Sequence, residues 1–516
     1  MKKLITVILA LCAILSLQAR KLEPWQDPNV FAENRLPMRA TFTTDQQQTL
    51  SLNGRWRFRG SPSVESRLKG FEAVNYNDAS WQEMPVPGLW QLNGFGDPVY
   101  VNIGYAWKDL APNTPPIVPE KGNYVGQYRR VFDLDAAWEG KPVYLCIGSA
   151  TSNVRVWING KMVGYSEDSK LEARFDVTKY VRPGQNVIAM EIFRWCDGSY
   201  LEDQDFWRLS GIARGMYLYT REKSRLEDVH ILADADGNLT VQAEVTSGIA
   251  TVKGSLADAS GAQVAAFSAP VKKGRAHVRE IVNGVQLWSA EIPYLYTLKL
   301  SACNGAGEVV ESTALNVGFR TVEMKDGQLK VNGQPVLIKG VNRHELVPVK
   351  GYVVSEADMI RDIRVMKELN VNAVRTCHYP DDPVWLALCD KYGLYVVDEG
   401  NIESHGMGYK DGVTLAQDPQ FRAAHLIRDQ RMVQRDFNHP SVIIWSLGNE
   451  AGAGPNFVDC AAWIKAYDPS RPIQYERCLD SPLYDCSDIM CPMYASPKWS
   501  EKYVSANPAR PLIQCE

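Results

Sequence analysis

The sequence lacks any basic excess: 56 Lys and Arg stand against 60 Asp and Glu, for a net charge of −4. Neither nucleic acid nor an anionic membrane surface is therefore indicated as a partner. It also lacks an apolar run of the ~20 residues that a membrane span needs. Its eleven cysteines include no C-x-x-C pair, so no disulfide framework is legible, and no internal repeat or low-complexity tract is present. With 45% hydrophobic and 22% charged residues, the composition excludes disorder, collagen-like repeats and a polytopic membrane protein.

What is present is a long chain with a leader. Lys2 and Lys3 precede an apolar stretch from Leu4 to Leu17, followed by Gln18-Ala19-Arg20-Lys21. This predicts a signal peptide over residues 1–19, hence export to the periplasm or the medium and no membrane span after cleavage. Cysteines such as Cys377 and Cys389 fall inside strand or helix patterns and are expected as small buried thiols. The 14 Trp and 23 Tyr suit stacking on the apolar faces of sugars, although most belong in a core.

At 516 residues, about three domains are expected. After an N-terminal arm (20–48), residues 49–220 alternate in short apolar runs such as Val154-Arg155-Val156-Trp157-Ile158, the pattern of a jelly-roll-like β-sandwich. Asn159-Gly160 marks a type I′ hairpin there. Residues 221–321 fit one immunoglobulin-like β-sandwich. From 322 to 516 strands alternate with amphipathic helices: Ser355 and Asp358 form a capping box, Asp382-Pro383 and Gly393 bracket a second helix, and Asp418-Pro419 and Pro455 open others. Counting Val336-Leu337-Ile338 as the first and Leu512–Cys515 as the last, seven strands are expected, which makes an incomplete (β/α)8 TIM barrel.

Reactive groups in such barrels lie just past the C-terminal ends of the strands. There this sequence places Asn342 to Glu345, Arg375 to Tyr379, Asp398 to His405, Asn449-Glu450, Tyr494 and Glu516. A single Arg or Asn at a strand end often only satisfies loop carbonyls, but convergence of so many on one face indicates a site. Two carboxylates after the fourth and seventh strands suit glycoside hydrolysis, in which one protonates the leaving oxygen and the other attacks the anomeric carbon from ~5 Å away. Glu450 is expected as acid/base, with Asn449 beside it to bind the sugar 2-hydroxyl, Glu516 as nucleophile, and Tyr494 to orient Glu516.

These strings closely resemble glycoside hydrolase family 2, and within it the bacterial β-galactosidases. The likeness is carried by Leu52-Asn53-Gly54-Arg55-Trp56, Pro98 to Asn102, Arg194 to Arg208, Gly340 to Glu345, Arg375 to Pro380, Asp398 to Gly406, Asn438 to Glu450, Asp468 to Glu476 and Cys491 to Tyr494. The resemblance implies a retaining exo-enzyme that removes terminal β-D-galactose through a covalent intermediate. His344, Arg375, His378 and Asn449 would line the galactose pocket, joined by Asn102 and Asp205 from the first β domain. It further implies Mg²⁺ held by Glu403, His405 and Glu450, and Na⁺ at Asp205. Glu403 and His405, two apart on an extended segment, would point the same way.

The sequence stops at Glu516 itself, so the barrel's eighth strand is missing and a fragment or truncated gene of a longer enzyme is expected. Unpaired edges would make the chain from residue 20 onward inactive and aggregation-prone, whereas residues 20 to about 320 would fold alone. The resemblance allows a homo-oligomer for the longer parent. Two alternatives stand beside the galactosidase: another family 2 exo-enzyme such as a β-glucuronidase, and a noncatalytic carbohydrate-binding remnant.

Overall fold

A computed structural model describes residues 22–506 and 508–516 of the chain, so the leader expected over residues 1–19 lies outside the described residues. The first domain packs a seven-stranded sheet against a four-stranded one. In Gly54–Ser63, Trp56 and Phe58 point into the core between Arg55, Arg57 and Arg59, which face out. This is the period-2 alternation of a half-buried strand. Asn159 (φ 51°) and Gly160 (φ 78°) are both left-handed and join Val154–Ile158 to Lys161–Ser166, as a type I′ turn requires. The N-terminal arm is not free: Ala32–Glu33 pairs along Lys161–Ser166, and Trp25 buries its ring edge-on to Phe193 at 5.2 Å.

The second domain sets three strands (Leu226–Ala233, Asn238–Val245, Arg275–Ile281) against four (Gln263–Pro270, Thr251–Ala257, Tyr296–Cys303, Val309–Val317) around a separate apolar core. A small antiparallel sheet, Val322–Lys325 with Gln328–Val331 and Gln334–Pro335, leads into the barrel.

The barrel has five regular parallel strands in sequence order: β1 (Gly340–Arg343), β2 (Ala373–Thr376), β3 (Tyr395–Glu399), β4 (Val442–Ser446) and β5 (Ile473–Gln474). Helices α1 (Glu356–Glu368), α2 (Pro383–Tyr392), α3 (Arg422–Asp436), α4 (Pro455–Tyr467) and α5 (Pro497–Ser505) accompany them. Ser355 caps α1 with the expected box, its hydroxyl accepting from Asp358 N at 3.3 Å while the Asp358 carboxylate accepts from Ser355 N at 3.1 Å. Met359, Ile363 and Met366 form the buried stripe of α1. Asp382 caps α2, and Gly393 ends it at φ 79°.

Two expectations for the strands need correction. The first strand begins at Gly340, not at Val336: the Asn372 side chain accepts from Lys339 N at 2.8 Å and donates to Leu337 O at 3.0 Å, taking the place of ladder bonds there. The sixth and seventh strands are extended segments rather than regular strands, joined by the parallel bridge Met490↔Leu512 and by the bond from Cys515 N to Pro492 O. Pro492 and Pro511 have no N–H to donate, which shortens that ladder.

The first domain is joined to the barrel mouth. Glu202 bridges Glu403, which in turn bridges Asn449, with Asp203 N to Glu403 O at 3.0 Å and Glu403 N to Leu201 O at 2.8 Å. Beneath this seam Arg428 holds Glu202 at 2.6 Å and Arg431 pairs with Asp168, all four buried at their side chains. The ten cysteines among the described residues are free and buried, Cys377 and Cys389 included. No helix among the described residues is long and apolar enough to cross a membrane.

Candidate active site

Arg375, near the end of β2, organises one side of the barrel mouth. Its guanidinium donates to Glu399 Oε2 (2.6 Å), Asn449 Oδ1 (2.8 Å) and Glu516 Oε1 (3.0 Å). Three fork directions are thus spent on three different strand ends, geometry that an ammonium cannot reproduce. His378 gives Nδ1 to Glu399 Oε1 at 2.9 Å and sets Nε2 3.5 Å from Glu516 Oε1. The Tyr494 hydroxyl donates to Glu516 Oε2 at 2.6 Å, while Tyr494 N donates to Glu516 O at 2.9 Å. Burial pushes the Glu516 carboxyl up, but His378, Arg375 and the Tyr494 hydroxyl outweigh it and hold the group below its ordinary range. The Tyr494 phenol is raised in turn, first by its bond to Glu516, then by burial and by the charges of Glu516, Glu450 and Asp205.

Glu450 follows β4 in the left-handed region (φ 36°), an uncommon conformation for a residue with a Cβ. Its N–H donates to Glu476 Oε1 at 2.8 Å, and its carboxylate accepts from Tyr409 Oη at 3.0 Å and Arg477 Nη2 at 2.5 Å. Arg477 lies 3.9 Å over the Tyr409 ring, which stacks on His405. Glu403, His405 and Glu450 bring one donor atom each to within 4.8 Å of one another. The convergence does not come from strand alternation, because His405 opens a short 3-10 turn.

The residues of that cluster fit a hard divalent cation. Glu403 is fully buried with Oε1 lacking a hydrogen-bond partner, and His405 Nδ1 stands 3.3 Å from Glu450 Oε2 without hydrogen-bond geometry. Burial, and after it the Asp203 and Glu450 carboxylates, push Glu403 well above the ordinary range against the pull of the Asn449 amide. Two carboxylates and one imidazole make a mainly oxygen donor set of modest Mg²⁺ affinity.

The first domain supplies the opposite wall. Strand Phe206–Arg208 pairs with Val99–Val101, so Asp205 and Asn102 lie at the same end of the ribbon. Phe206 stacks on His344 (3.9 Å, 7°), and Gln204 Nε2 donates to His378 O at 3.4 Å. Asp205 is half-buried and accepts from the Tyr100 hydroxyl; Asn102 is exposed. His344 Nδ1 faces the Tyr379 hydroxyl at 3.3 Å, and burial, then the neighbouring His378, Lys170 and Arg375 side chains, lower its pKa to about 3, so the ring is neutral. Asp205 belongs to none of the metal-capable groupings among the described residues.

Three family models cover this architecture. The sugar binding domain of the glycosyl hydrolases family 2 matches residues 49–222, the glycosyl hydrolases family 2 model matches 224–320, and the family 2 TIM barrel domain matches 322–516. The chain belongs to glycosyl hydrolase family 2. It is 41% identical over 491 residues to a beta-galactosidase of Priestia megaterium, covering 90% of this chain and 47% of that protein. A beta-galactosidase of Photobacterium profundum is 43% identical over 497 residues, with 91% and 47% covered. The chain thus spans about half the length of the curated relatives it matches. Among solved structures, the Ruminococcus gnavus β-glucuronidase superposes with TM-score 0.75 at 23% identity (93% of this chain, 85% of that one). The Bifidobacterium dentium β-glucuronidase, complexed with coumarin-3-O-glucuronide, gives 0.74 at 21% (92% and 82%).

In this family 2 chain the structure gathers Glu516, Tyr494, Arg375, His378 and Asn449 into one hydrogen-bonded set, with Glu403, His405 and Glu450 beside it. Asn449 ties the two together, accepting from Arg375 and donating to Glu403 Oε2 at 3.1 Å. Sequence reasoning missed Tyr409, Glu476 and Arg477 around Glu450, and the role of Glu399 as partner of both Arg375 and His378. Glu399 carried a signal, since it ends a barrel strand. Tyr409 lies in a loop and Arg477 in a 3-10 turn, neither with any periodic pattern.

Proposed function

We propose that this chain carries the sugar-binding and catalytic machinery of a retaining exo-β-galactosidase. Glu516 attacks the anomeric carbon of a terminal β-galactoside while Glu450 protonates the departing oxygen. Water, deprotonated by Glu450, then releases galactose from the glycosyl ester. The observation that carries this reading is the arrangement around Glu516: a carboxylate kept ionised by Arg375, His378 and Tyr494, and joined through Arg375 to Asn449, the residue before Glu450. Arg375 positions both halves through Asn449 and Glu516.

Galactose is favoured over glucuronate by the charges around the pocket. Arg375 and His378 are engaged by Glu399 and Glu516, and Asp205 adds a carboxylate, an arrangement that repels a uronate. Asp205 first, and His378 after it, are our candidates for recognising an axial 4-hydroxyl. Glu403, His405 and Glu450 would hold Mg²⁺, which would fix the Glu450 side chain in place, and Asp205 would offer Na⁺ the oxygen that Tyr100 leaves. Export as a periplasmic or secreted protein, and a homo-oligomeric whole enzyme, belong to the same reading.

The test is a fusion that continues this chain with the C-terminal half of the Priestia megaterium relative, assayed on p-nitrophenyl β-galactoside, β-glucoside and β-glucuronide. The expected kcat/KM for galactoside exceeds that for glucoside by about a hundredfold or more. Preference for the glucuronide, or equal constants for galactoside and glucoside, overturns the specificity. A folded fusion that binds galactose and turns over none of the three establishes the noncatalytic reading.

A further inference from the structure

Cys377 gives the sugar pocket a second chemistry. Its sulfur and one ring nitrogen each from His344 and His378 lie within 4.8 Å of one another, with Cys377 and His378 buried and His344 half-buried. Both rings are held from behind. Glu399 Oε1 sits 2.9 Å from His378 Nδ1, which leaves Nε2 as the nitrogen that faces the pocket and Glu516. The Tyr379 hydroxyl sits 3.3 Å from His344 Nδ1, and Phe206 fixes that ring by stacking at 3.9 Å. The Glu399 carboxylate behind His378 is the outer support that metal-ligating histidines use, and it raises the basicity of the inner nitrogen; the Tyr379 hydroxyl and Phe206 orient the His344 ring.

We propose that His344, Cys377 and His378 form a site for a soft divalent ion of the zinc class, and that an ion bound there blocks the sugar pocket. One thiolate and two imidazoles prefer zinc or cobalt to magnesium, whereas Glu403, His405 and Glu450 offer mainly oxygen; donor softness separates the two sites. Around a shared tetrahedral ion with bonds of ~2.0–2.3 Å the donors stand ~3.3–3.8 Å apart, so side-chain rotations of about 1.5 Å or less close the set. On binding, the Cys377 S–H bond breaks, the proton leaves to solvent, and the sulfur electron pair forms the bond to the metal. No atom changes oxidation state. The fourth position falls to water or to Glu516 Oε1, 3.5 Å from His378 Nε2, which sets the ion against the proposed nucleophile. The blocking effect rests on the galactoside reading of this pocket; the binding itself does not.

Cobalt reports the site without any assay of activity. Titrating the full 516-residue chain with Co²⁺ in excess Mg²⁺ is expected to give a sulfur-to-cobalt charge-transfer band that saturates at about one equivalent and is bleached by Zn²⁺. Cys377→Ser removes the band. His344→Ala, which keeps the thiol, weakens Co²⁺ binding by about tenfold or more. Absence of the band in the parent chain, its persistence in Cys377→Ser, or unchanged affinity in His344→Ala overturns the site. Calorimetry with isopropyl 1-thio-β-D-galactoside then tests blocking: the galactoside is expected to bind the metal-free chain and to be excluded by Zn²⁺. Equal binding with and without Zn²⁺ overturns the blocking. A chain that shows the cobalt band and takes no galactoside upholds the ion site and refutes the galactoside reading instead.

Discussion

Arg375 Nη1 and Glu516 Oε1 lie 3.0 Å apart at the mouth of the barrel, and the same guanidinium also holds Glu399 and Asn449. The nucleophile proposed here is therefore tied to the proposed acid/base through one buried cation, since Asn449 precedes Glu450.

Replacing that cation is expected to cost stability as well as function. Arg375→Met leaves the fully buried Glu399 with a lost charge partner, and removing one member of such a pair typically costs about 3–5 kcal/mol. Urea unfolding of the chain and the variant measures this. A loss below about 1 kcal/mol, the scale of an exposed ion pair, would contradict the buried network.

The ionisation of Glu516 has a definite sign. Its folded pKa is depressed, so the ionised form is favoured by the fold; that contribution is present above the unfolded value, about 4.3 for glutamate, and is lost as pH falls through the lower folded value. The acid limb of kcat/KM in the extended fusion is expected below the ordinary glutamate range. Tyr494→Phe removes the hydroxyl donor 2.6 Å from Oε2 and moves that limb to higher pH. An unmoved limb would assign it to another group.

Mg²⁺ is expected to stabilise the chain, because it gives the partnerless Glu403 Oε1 and His405 Nδ1 a ligand. At a hundredfold excess over Kd the gain is about 2.7 kcal/mol. Thermal melts with Mg²⁺ and with chelator measure it, and Glu403→Gln should abolish the difference. Identical melts for the parent chain would remove Mg²⁺ from the account.

Much of this was legible in the sequence because local rules and tertiary packing agree. Ser355 with Asp358, Asp382 with Pro383, and Asn159-Gly160 each demand one backbone geometry, and each adopts it. Arg375, Glu399, Asn449 and Glu450 were legible because strand ends in a barrel face one way. The β1 boundary was not: Val336-Leu337-Ile338 has the composition of a strand, yet Leu337 is 75% exposed and Asn372 takes its backbone bonds. Tyr409 and Arg477 were not legible either. Their stacked pair forms only when the loop after β3 and the turn after β5 meet over Glu450, a contact between segments nearly 70 residues apart with no periodic trace.

Glu450→Gln in the extended fusion is expected to slow substrates with poor leaving groups most, since acidic phenols depart with little protonation. Rates for alkyl and nitrophenyl galactosides compare the two. An equal loss for both in the glycosylation step would move the acid role from Glu450.

The central claim is that Glu516 is the nucleophile of a two-carboxylate site. Trapping the extended fusion with a 2-deoxy-2-fluoro-β-galactoside bearing a dinitrophenyl leaving group, followed by peptide mass mapping, tests it most directly. The expected result is one fluorogalactosyl ester per chain, on Glu516, absent in Glu516→Gln. A label on Glu450 or any other carboxylate, or steady turnover of galactosides by Glu516→Gln, would contradict it.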